Sequence, residues 1–507
     1  MNTKTASYTP DHTLYNTIES AIKATVRITT SYDIRDKFNP AELDSQGKSV
    51  GSGFFIDNKG HILTCNHVVS DSIKIFVNIP DGGKKSYRAR IISLYPQLDI
   101  AVIKIHDYQN KHYIKLGSSD ECKMGSDTIA IGYPLGDETV KTTKGTVSGK
   151  KNHLIQTDTT INQGSSGGPL LNTQYEAIGV NSSKMTGQST EGTSYIVPID
   201  IFKTVMYQMM GQGSDVVSVH GSDVVSLSVQ SQDISPSDNQ HMEDITVIYK
   251  PNLYCDFQTL ENETSNLLCH EYTLKNKKSI EGFMLITIYK KSPLAICENP
   301  MNIYDILMEF DGKKIDCYGD VDTDCKLGKL DLGSYVLRCV ANQNIRIKYF
   351  SVKAQTIIET FIVLKNEYLY QIPEIFYPQK INYLNIDGVV ICQLTLDHIS
   401  DIINDRYPAS MACRASMYRY MLTENREEPR IFISRVLPES SKADSKNLDN
   451  SEGCVIVRAN GHIVQTIDQF KSICLINPII VSGKRYMHLE MSNRENITMC
   501  IDSYSDQ

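Results

Sequence analysis

The chain has 507 residues and a mass of 57.0 kDa, a length typical of about three domains. Hydrophobic residues make up 41% and charged residues 22% of the chain, which argues against wholesale disorder and against a membrane bundle. The net charge of −8 disfavours polyanionic partners, so we expect no nucleic-acid binding.

The cysteines and the N-terminal sequence lead to a prediction about cellular location. The 13 cysteines are odd in number and form no CxxC pair, which indicates mostly reduced thiols. No run approaches the ~18 consecutive apolar residues of a membrane span, and the first residues lack the apolar segment of a signal peptide. These features predict an intracellular protein, cytoplasmic or nuclear, without membrane attachment.

The first predicted element is a short amphipathic helix within residues 12–23, where apolar residues recur at helical spacing. Short runs rich in Val, Ile and Thr follow up to about residue 208, and the turns between them predict an all-β barrel or sandwich. Residues 211–240 contain few large apolar groups and repeat GSDVVS, which indicates a flexible linker or, alternatively, a docking peptide. Two α+β modules come after this segment.

The strongest chemical signal is the glycine-rich turn GSSGGP, which begins at Gly164. A serine hydroxyl becomes a nucleophile only when a base removes its proton and a tight turn exposes it. Glycines on both sides of Ser166 permit such a turn and allow backbone N–H groups to converge on a developing oxyanion. Taken alone, a loop of this kind is more often a flexible turn, so the assignment depends on its partners.

A base and an orienting carboxylate occur upstream in suitable contexts. His67 follows the apolar run HILTCN, where a strand would end in a helical turn, and Asp99 precedes the buried strand IAVIKI. Singly, His67 could be a core histidine and Asp99 a turn residue. Jointly, their order and spacing with Ser166 predict a triad in which His67 takes the serine proton and Asp99 orients the imidazole.

Residues 48–200 resemble the chymotrypsin-like serine proteases, and specifically their HtrA/Deg branch. The resemblance rests on six motifs in order: GSGFFID, HILTCNHVV, LDIAVIKI, AIGYPLG, TDTTINQGSSGGPLLN and IGVNSS. It implies two six-stranded β-barrels with the triad in the cleft between them. It also implies an oxyanion hole formed by the backbone N–H groups of Gly164 and Ser166, although this family usually has Asn where this chain has Ser165.

The same resemblance implies the substrate contacts. Thr160, six residues before the nucleophile, would form the floor of the specificity pocket, and its lack of charge favours a small or medium apolar side chain over Lys or Arg. Asn181 and Ser182 resemble the strand that pairs with the substrate backbone, and residues 182–192 would form the pocket loop.

Two later regions resemble PDZ domains, which bind peptide C-termini. In the first, residues 281–286 look like a carboxylate-binding loop and its strand. The backbone of Gly282, Phe283, Met284 and Leu285 would then receive the peptide by strand addition. A plain α+β packing domain is the alternative for this region. The second region lacks a clear glycine-led loop.

Together these features predict a mainly β protein: a chymotrypsin-like double β-barrel protease domain followed by two α+β PDZ-like domains. The predicted boundaries are 1–24 for an N-terminal extension, 25–208 for the protease domain, 209–244 for the linker, 245–368 for the first PDZ-like domain, 369–430 for a connecting segment and 431–507 for the second PDZ-like domain. The predicted activity is hydrolysis of unfolded, damaged or C-terminally exposed polypeptides, without cofactor or metal, by a homo-oligomer that is a trimer or is built from trimers. The alternative is an inactive or conditionally active scaffold that binds peptides through the PDZ-like domains.

Overall fold

The computed structural model describes residues 17–70, 72–182, 192–210, 226–227, 245–365, 372–373, 381–438, 448 and 450–502. The chain divides into two compact units, one of Met1–Tyr32 with Lys48–Glu367 and one of Asp33–Gly47 with Tyr368–Gln507. Short strands form most of the regular structure in both units, which confirms the expected mainly β class.

A six-stranded barrel opens the larger unit. Its strands are β1 (Thr25–Asp36), β2 (Asn39–Phe55), β3 (His61–Thr64), β4 (Ser72–Asn78), β5 (Ser86–Tyr95) and β6 (Ile100–Ile105). The sheet closes into a ring because β6 pairs with β3 on one edge and with β5 on the other. The helix α1 (Ile18–Ala24) precedes β1 and is capped by Thr17, whose hydroxyl accepts the N–H of Ser20. Residues 12–16 of the predicted helix lie outside the described residues.

A second closed barrel follows in the same unit. Its strands are β7 (Asp127–Gly132), β8 (Lys141–Lys151), β9 (Leu154–Thr157), β10 (Pro169–Leu171), β11 (Ala177–Asn181) and β12 (Ser194–Pro198). They pair in the cyclic order β10, β11, β12, β9, β8, β7 around a core that includes Leu170, Ile178 and Ile196. The expected double barrel is therefore confirmed.

The second barrel ends in the helix α3 (Ile199–Met209). Farther along, β13 (Ser226–Leu227) pairs with β14 (Ile245–Val247), which runs parallel to β5 of the first barrel. Apart from these two strand residues and residues 209–210, the predicted linker lies outside the described residues.

The larger unit continues with a sheet whose main order has five strands, with three further short strands and with several short helices. The strands are β15 (Cys255–Thr259), β16 (Phe283–Ile288), β17 (Ile306–Phe310), β18 (Lys313–Lys314), β19 (Asp320–Val321), β20 (Leu330–Asp331), β21 (Asn344–Ser351) and β22 (Thr356–Val363). The helices are α4 (Asn262–Leu268), α5 (His270–Asn276), α6 (Pro293–Ile296) and α7 (Leu332–Val336). The main sheet has the order β15, β16, β17, β21, β22, so β15 is an edge strand.

The smaller unit contains two antiparallel sheets. One comprises β23 (Tyr383–Ile386), β24 (Val389–Gln393) and β25 (Ile431–Val436), and the other comprises β26 (Ile456–Ala459), β27 (His462–Ile463), β28 (Ile479–Val481), β29 (Lys484–Met491) and β30 (Asn496–Cys500). The helices are α8 (Leu396–Ile403), α9 (Met411–Tyr418) and α10 (Ile467–Phe470). The predicted connecting segment 369–430 thus supplies two strands and two helices to this unit.

Residues 33–47, the tip of the β1–β2 hairpin, belong to this smaller unit. Phe38 is buried in one of its hydrophobic clusters together with Tyr407 and Phe432. Eleven cysteines of the chain are free, but Cys413 and Cys454 form a disulfide that the sequence analysis did not predict. No helix within the described ranges is both long and apolar enough to cross a membrane.

Candidate active site

His67 lies where the first barrel changes from strand to helix. The buried strand β3 pairs with β2 and β6, and the chain then turns at Cys65 into the short helix α2 (Asn66–Val69). His67 is the second residue of α2, and its side chain is 27% exposed. The imidazole therefore has one side in the protein and one side accessible to a substrate.

Asp99 holds the buried side of this imidazole. It has left-handed backbone angles (φ 57°, ψ 40°) directly after the 3-10 turn Pro96–Leu98, and its side chain is 1% exposed. The carboxylate accepts the backbone N–H of His67 at 2.9 Å, and Oδ2 lies 2.7 Å from His67 Nδ1. Ser182 Oγ donates to the same Oδ2 at 2.7 Å.

These bonds decide the charge of Asp99. Burial raises the pKa of this carboxyl group, but the hydrogen bonds and charge of His67 and the hydrogen bond of Ser182 outweigh burial and hold the pKa below its ordinary value. Asp99 is therefore ionised at neutral pH. An ionised carboxylate only accepts hydrogen bonds, so Nδ1 carries the ring proton and Nε2 is left as the basic nitrogen.

Ser166 lies in a turn that packs against the strands of the first barrel. Ser52 donates its backbone N–H to Ser166 O at 2.8 Å and its hydroxyl to Gly164 O, also at 2.8 Å. Gly167 has a φ of +86°, and a Cβ added there would lie 3.0 Å from the backbone nitrogen of Cys65 and still closer to Ser52 O. The turn of the predicted nucleophile thus contacts the segment that leads into His67.

The predicted oxyanion hole belongs to this turn. Gly164 has a φ of +93°, and a Cβ there would lie 2.5 Å from Tyr133 O, so only glycine fits. Ser165 donates its N–H to Asn162 O at 2.9 Å, whereas the N–H of Gly164 meets no backbone carbonyl among the described residues. The assignment of Gly164 and Ser166 as oxyanion donors stays a prediction, and this geometry supports it.

Asn181 and Ser182 are fully buried rather than displayed to a substrate. Asn181 O accepts the N–H of Gly167 at 2.8 Å, and Asn181 N–H donates to Gly168 O at 2.9 Å. Ser182 bonds Asp99, as described above. The sequence analysis assigned these two residues to substrate binding. It did not predict the bond of Ser182 to Asp99 or the bonds of Asn181 to the turn after Ser166, because the IGVNSS pattern does not identify their partners.

Thr160 is exposed and lines a cavity of about 30 Å³. A space of this size holds little more than one water molecule or one methyl group. Lys141, Thr143 and Ser165 also line it, and Thr143 Oγ1 donates to Thr160 O at 2.9 Å. Residues 183–191 of the predicted pocket loop lie outside the described residues, so the role of Thr160 stays a prediction.

Cys65 completes a group of three residues with metal-ligating side chains, together with His67 and Asp99. Metal binding requires a thiolate. Burial, followed by the negative charge of Asp99, raises the pKa of the Cys65 thiol well above its ordinary value. The group therefore consists of a protonated thiol beside the hydrogen-bonded pair of Asp99 and His67.

The strand predicted to capture peptides lies inside its sheet. Phe283 and Met284 of β16 pair with Thr259 and Gln258 of β15 on one edge and with Leu307 and Ile306 of β17 on the other. Leu285 pairs with Phe257 and exchanges hydrogen bonds with Asp305 O and Tyr304 N. Gly282 has a φ of +156°, and a Cβ there would lie 2.4 Å from Leu307 O. The predicted strand addition at residues 282–285 is therefore blocked, because both edges of β16 are already paired.

A groove lies instead between the edge strand β15 and helix α7. It has a volume of about 510 Å³. Its apolar wall includes Phe257, Phe283, Leu332 and Val336. Residues of the barrels also line it, and they are Gln97, Leu98, Asn152 and His153. This groove offers both an unpaired strand edge, that of β15, and an apolar wall. The segment 281–286 offers no unpaired edge.

Comparisons with known proteins agree with this site. The family described as trypsin-like peptidase domain matches residues 51–180. A probable periplasmic serine endoprotease, DegP-like, of Pseudomonas putida is 39% identical over 178 residues, which are 33% of this chain and 36% of the relative. A protein of the same name from Chlamydia pneumoniae is 41% identical over 173 residues, which are 32% of this chain and 35% of the relative. The chain thus matches about a third of the length of these relatives.

Solved structures also resemble the chain. The HtrA-type protease AlgW with decapeptide superposes with a TM-score of 0.47 at 20% identity, covering 70% of this chain and 98% of that one. A serine endoprotease from Yersinia pestis gives a TM-score of 0.43 at 19% identity, covering 69% of this chain and 97% of that one.

The two barrels and the Asp99–His67 pair define the chymotrypsin-like class of serine peptidase folds. Residues 51–180 match the trypsin-like peptidase domain family, and over this region the chain is similar to serine endoproteases named DegP-like. The HtrA/Deg resemblance seen in the sequence motifs is confirmed for this domain.

The predicted cytoplasmic or nuclear location is wrong. The curated relatives from Pseudomonas putida and Chlamydia pneumoniae are named periplasmic, which points to a location outside the cytoplasm. The prediction rested on the first residues of the chain and on cysteine spacing, and neither feature determines where a domain of this kind works.

Proposed function

We propose that this chain is a serine endopeptidase of the HtrA/Deg type. The observation that carries the proposal is the buried, ionised Asp99, which bonds both the backbone and the Nδ1 of His67 and leaves Nε2 as a base. A histidine that serves only to fill a core has no need of an ionised carboxylate on one nitrogen, and its side chain would not be 27% exposed. This arrangement instead suits general-base catalysis.

The proposed reaction follows from these positions. His67 Nε2 removes the proton of Ser166 Oγ as the oxygen attacks a peptide carbonyl, and Asp99 stabilises the imidazolium that forms. The N–H groups of Gly164 and Ser166 bind the oxyanion. The imidazolium then gives its proton to the leaving amine, and water hydrolyses the acyl-enzyme by the same steps in reverse.

Polypeptides are the proposed substrates, because the related proteins are named endoproteases. We place peptide binding by the first PDZ-like region in the groove between β15 and α7, where the edge of β15 can pair with a peptide backbone. The apolar wall of this groove suits an apolar C-terminal side chain. A homo-oligomer built on trimers remains part of the proposal, as does cleavage of unfolded proteins.

A fluorophosphonate probe tests the proposal directly. We expect the wild-type chain to be labelled and to cleave a denatured protein, and we expect Ser166→Ala to do neither. Ser86→Ala, at a serine outside the site on β5, is the matched control and keeps full labelling. An unlabelled wild-type chain that also leaves denatured protein intact would favour the scaffold alternative.

A further inference from the structure

Cys65 is a buried thiol at the meeting point of the three segments that carry the proposed triad. It has no exposed surface and lies two residues before His67. Its Sγ donates to the backbone carbonyl of Asn181 at 3.1 Å. The thiol also lies beside the Asp99 carboxylate, since the ligating atoms of Cys65, His67 and Asp99 are all within 4.8 Å of one another.

The acceptor on Asn181 connects the thiol with the nucleophile turn. Asn181 O also receives the N–H of Gly167 at 2.8 Å, and Asn181 N–H donates to Gly168 O at 2.9 Å. Asn181 thereby fixes the two residues that follow Ser166. A donor at Cys65 fastens the same carbonyl to the segment of His67.

The chemistry of the thiol limits what it can do. Its burial and the neighbouring carboxylate keep it protonated at neutral pH, so it is a hydrogen-bond donor and neither a nucleophile nor a metal ligand. The S–H proton is donated to the Asn181 carbonyl, and the Asp99 carboxylate, within 4.8 Å of Sγ, is the second group to which it can turn. When the proton points to Asp99, it withdraws part of the negative charge that would otherwise act on His67.

We infer that Cys65 is a positioning residue of the proposed peptidase, whose thiol joins the His67 segment to the Ser166 turn and moderates the charge that Asp99 presents to His67. The inference rests on the proposed function for its kinetic readout. It concerns a contact that the sequence motifs do not reveal, because a cysteine at this position could equally fill space in the core.

Three substitutions separate donation from packing. Cys65→Val fills the space with an apolar side chain but has no donor, and Cys65→Ser keeps a donor. Cys65→Ala lacks the donor and also most of the side-chain volume. Without a donor the full charge of Asp99 favours the protonated ring of His67, so we expect the acid limb of the kcat/KM profile to move to higher pH in the Val and Ala variants. We expect kcat to fall about tenfold in both, with KM unchanged, and the Ser variant to keep the wild-type acid limb.

Cys122→Val is the matched control, because Cys122 is a second buried thiol that donates to a backbone carbonyl, Ser118 O, in another part of the unit. It should leave the acid limb and kcat unchanged. If Cys65→Val keeps the wild-type acid limb, or if the Ser and Val variants lose kcat equally, Cys65 acts by packing and the inference is overturned.

A second measurement separates this inference from the proposed function. The pH titration of the His67 ring, followed by NMR with carbon-labelled histidine, requires no turnover. A shifted titration in Cys65→Val but not in Cys65→Ser supports the positioning role even if the wild-type chain hydrolyses nothing. Identical titrations in all three proteins contradict it even if the chain is an active peptidase.

Discussion

At the residue scale, the site depends on keeping a carboxylate ionised in a buried position. Asp99 is 1% exposed at its side chain and would lose its charge without donors. The donors come from two distant parts of the chain, His67 and Ser182. Ser182 therefore contributes to the proposed chemistry through its hydrogen bond to Asp99.

Ser182→Ala tests this contribution. A hydrogen bond to a charged group is worth about 1.5–3 kcal/mol, so we expect kcat to fall about tenfold to a hundredfold with KM unchanged. The control is Ser93→Ala, at another buried serine, whose hydroxyl donates to Met209 O at 2.8 Å. It should lower the unfolding free energy and leave kcat unchanged. Equal losses of kcat in the two variants would contradict a specific role for Ser182.

At the element scale, the first turn of helix α3 is hydrogen-bonded to residues 118–120, in the segment between β6 and β7. Asp200 accepts the hydroxyls of Ser118 at 2.8 Å and Ser119 at 2.9 Å and the N–H of Asp120 at 3.0 Å. Lys203 Nζ lies 2.9 Å from its other oxygen. Burial raises the pKa of Asp200, but these bonds outweigh it and leave the pKa below the ordinary value of 3.8.

Asp200→Asn should therefore destabilise the larger unit in a pH-dependent way. Because the folded state favours the ionised form, the contribution of Asp200 is complete above pH 3.8 and disappears as the pH falls through its lower folded pKa. We expect a loss of about 2–3 kcal/mol at neutral pH that shrinks in acid, measured by urea unfolding. Asp137→Asn, at an exposed carboxylate, is the control. A constant loss across the pH range would contradict this explanation.

Elements of this kind are predictable from sequence to different degrees. The turns at Asp99 and Ser166 could be predicted because glycine, proline and buried strands mark them locally. The partner of β16 could not, because the apolar run FMLITI has the same pattern in an edge strand and in an interior strand. The peptide site was consequently assigned to 282–285, whereas the free strand edge belongs to β15.

The hydrogen bonds of Cys65 and Ser182 were not predicted for a related reason, since the sequence around a small buried side chain does not identify its acceptor.

At the scale of the whole molecule, the smaller unit is assembled from distant parts of the chain. The ring of Phe38 is stacked on that of Tyr407, with 3.7 Å between centroids. Lys37 O accepts a hydrogen bond from His398 Nε2 at 2.9 Å, across 361 sequence positions, and Asp36 pairs with Arg435 at 2.9 Å. No periodicity or local motif encodes a contact over such a separation, so the predicted boundaries treated residues 33–47 as protease sequence alone.

His398 makes this assembly sensitive to acid. Its side chain is fully buried, Nε2 donates to Lys37 O, and Nδ1 accepts the N–H of Thr395 at 3.3 Å. Burial lowers the pKa of His398 to about 4. The hydrogen bond to the Lys37 carbonyl and the carboxylates of Asp401 and Asp36 oppose this effect, whereas the charge of the Lys37 side chain adds to it. A protonated Nδ1 cannot accept the N–H of Thr395, and the ring is fully buried, so the folded unit favours the neutral form.

The smaller unit should therefore lose stability on acidification. Below the ordinary histidine pKa of 6.5 the unfolded state binds the proton and the folded state does not, so the unfolding free energy falls by about 1.4 kcal/mol per pH unit down to about pH 4. Hydrogen exchange of the amides in β23, β24 and β25 measures this loss. His398→Gln should be less stable at neutral pH and should show a flatter pH dependence, whereas His106→Gln, at an exposed histidine, should match the wild type. Parallel losses in the wild type and His398→Gln would show that another group controls the acid response.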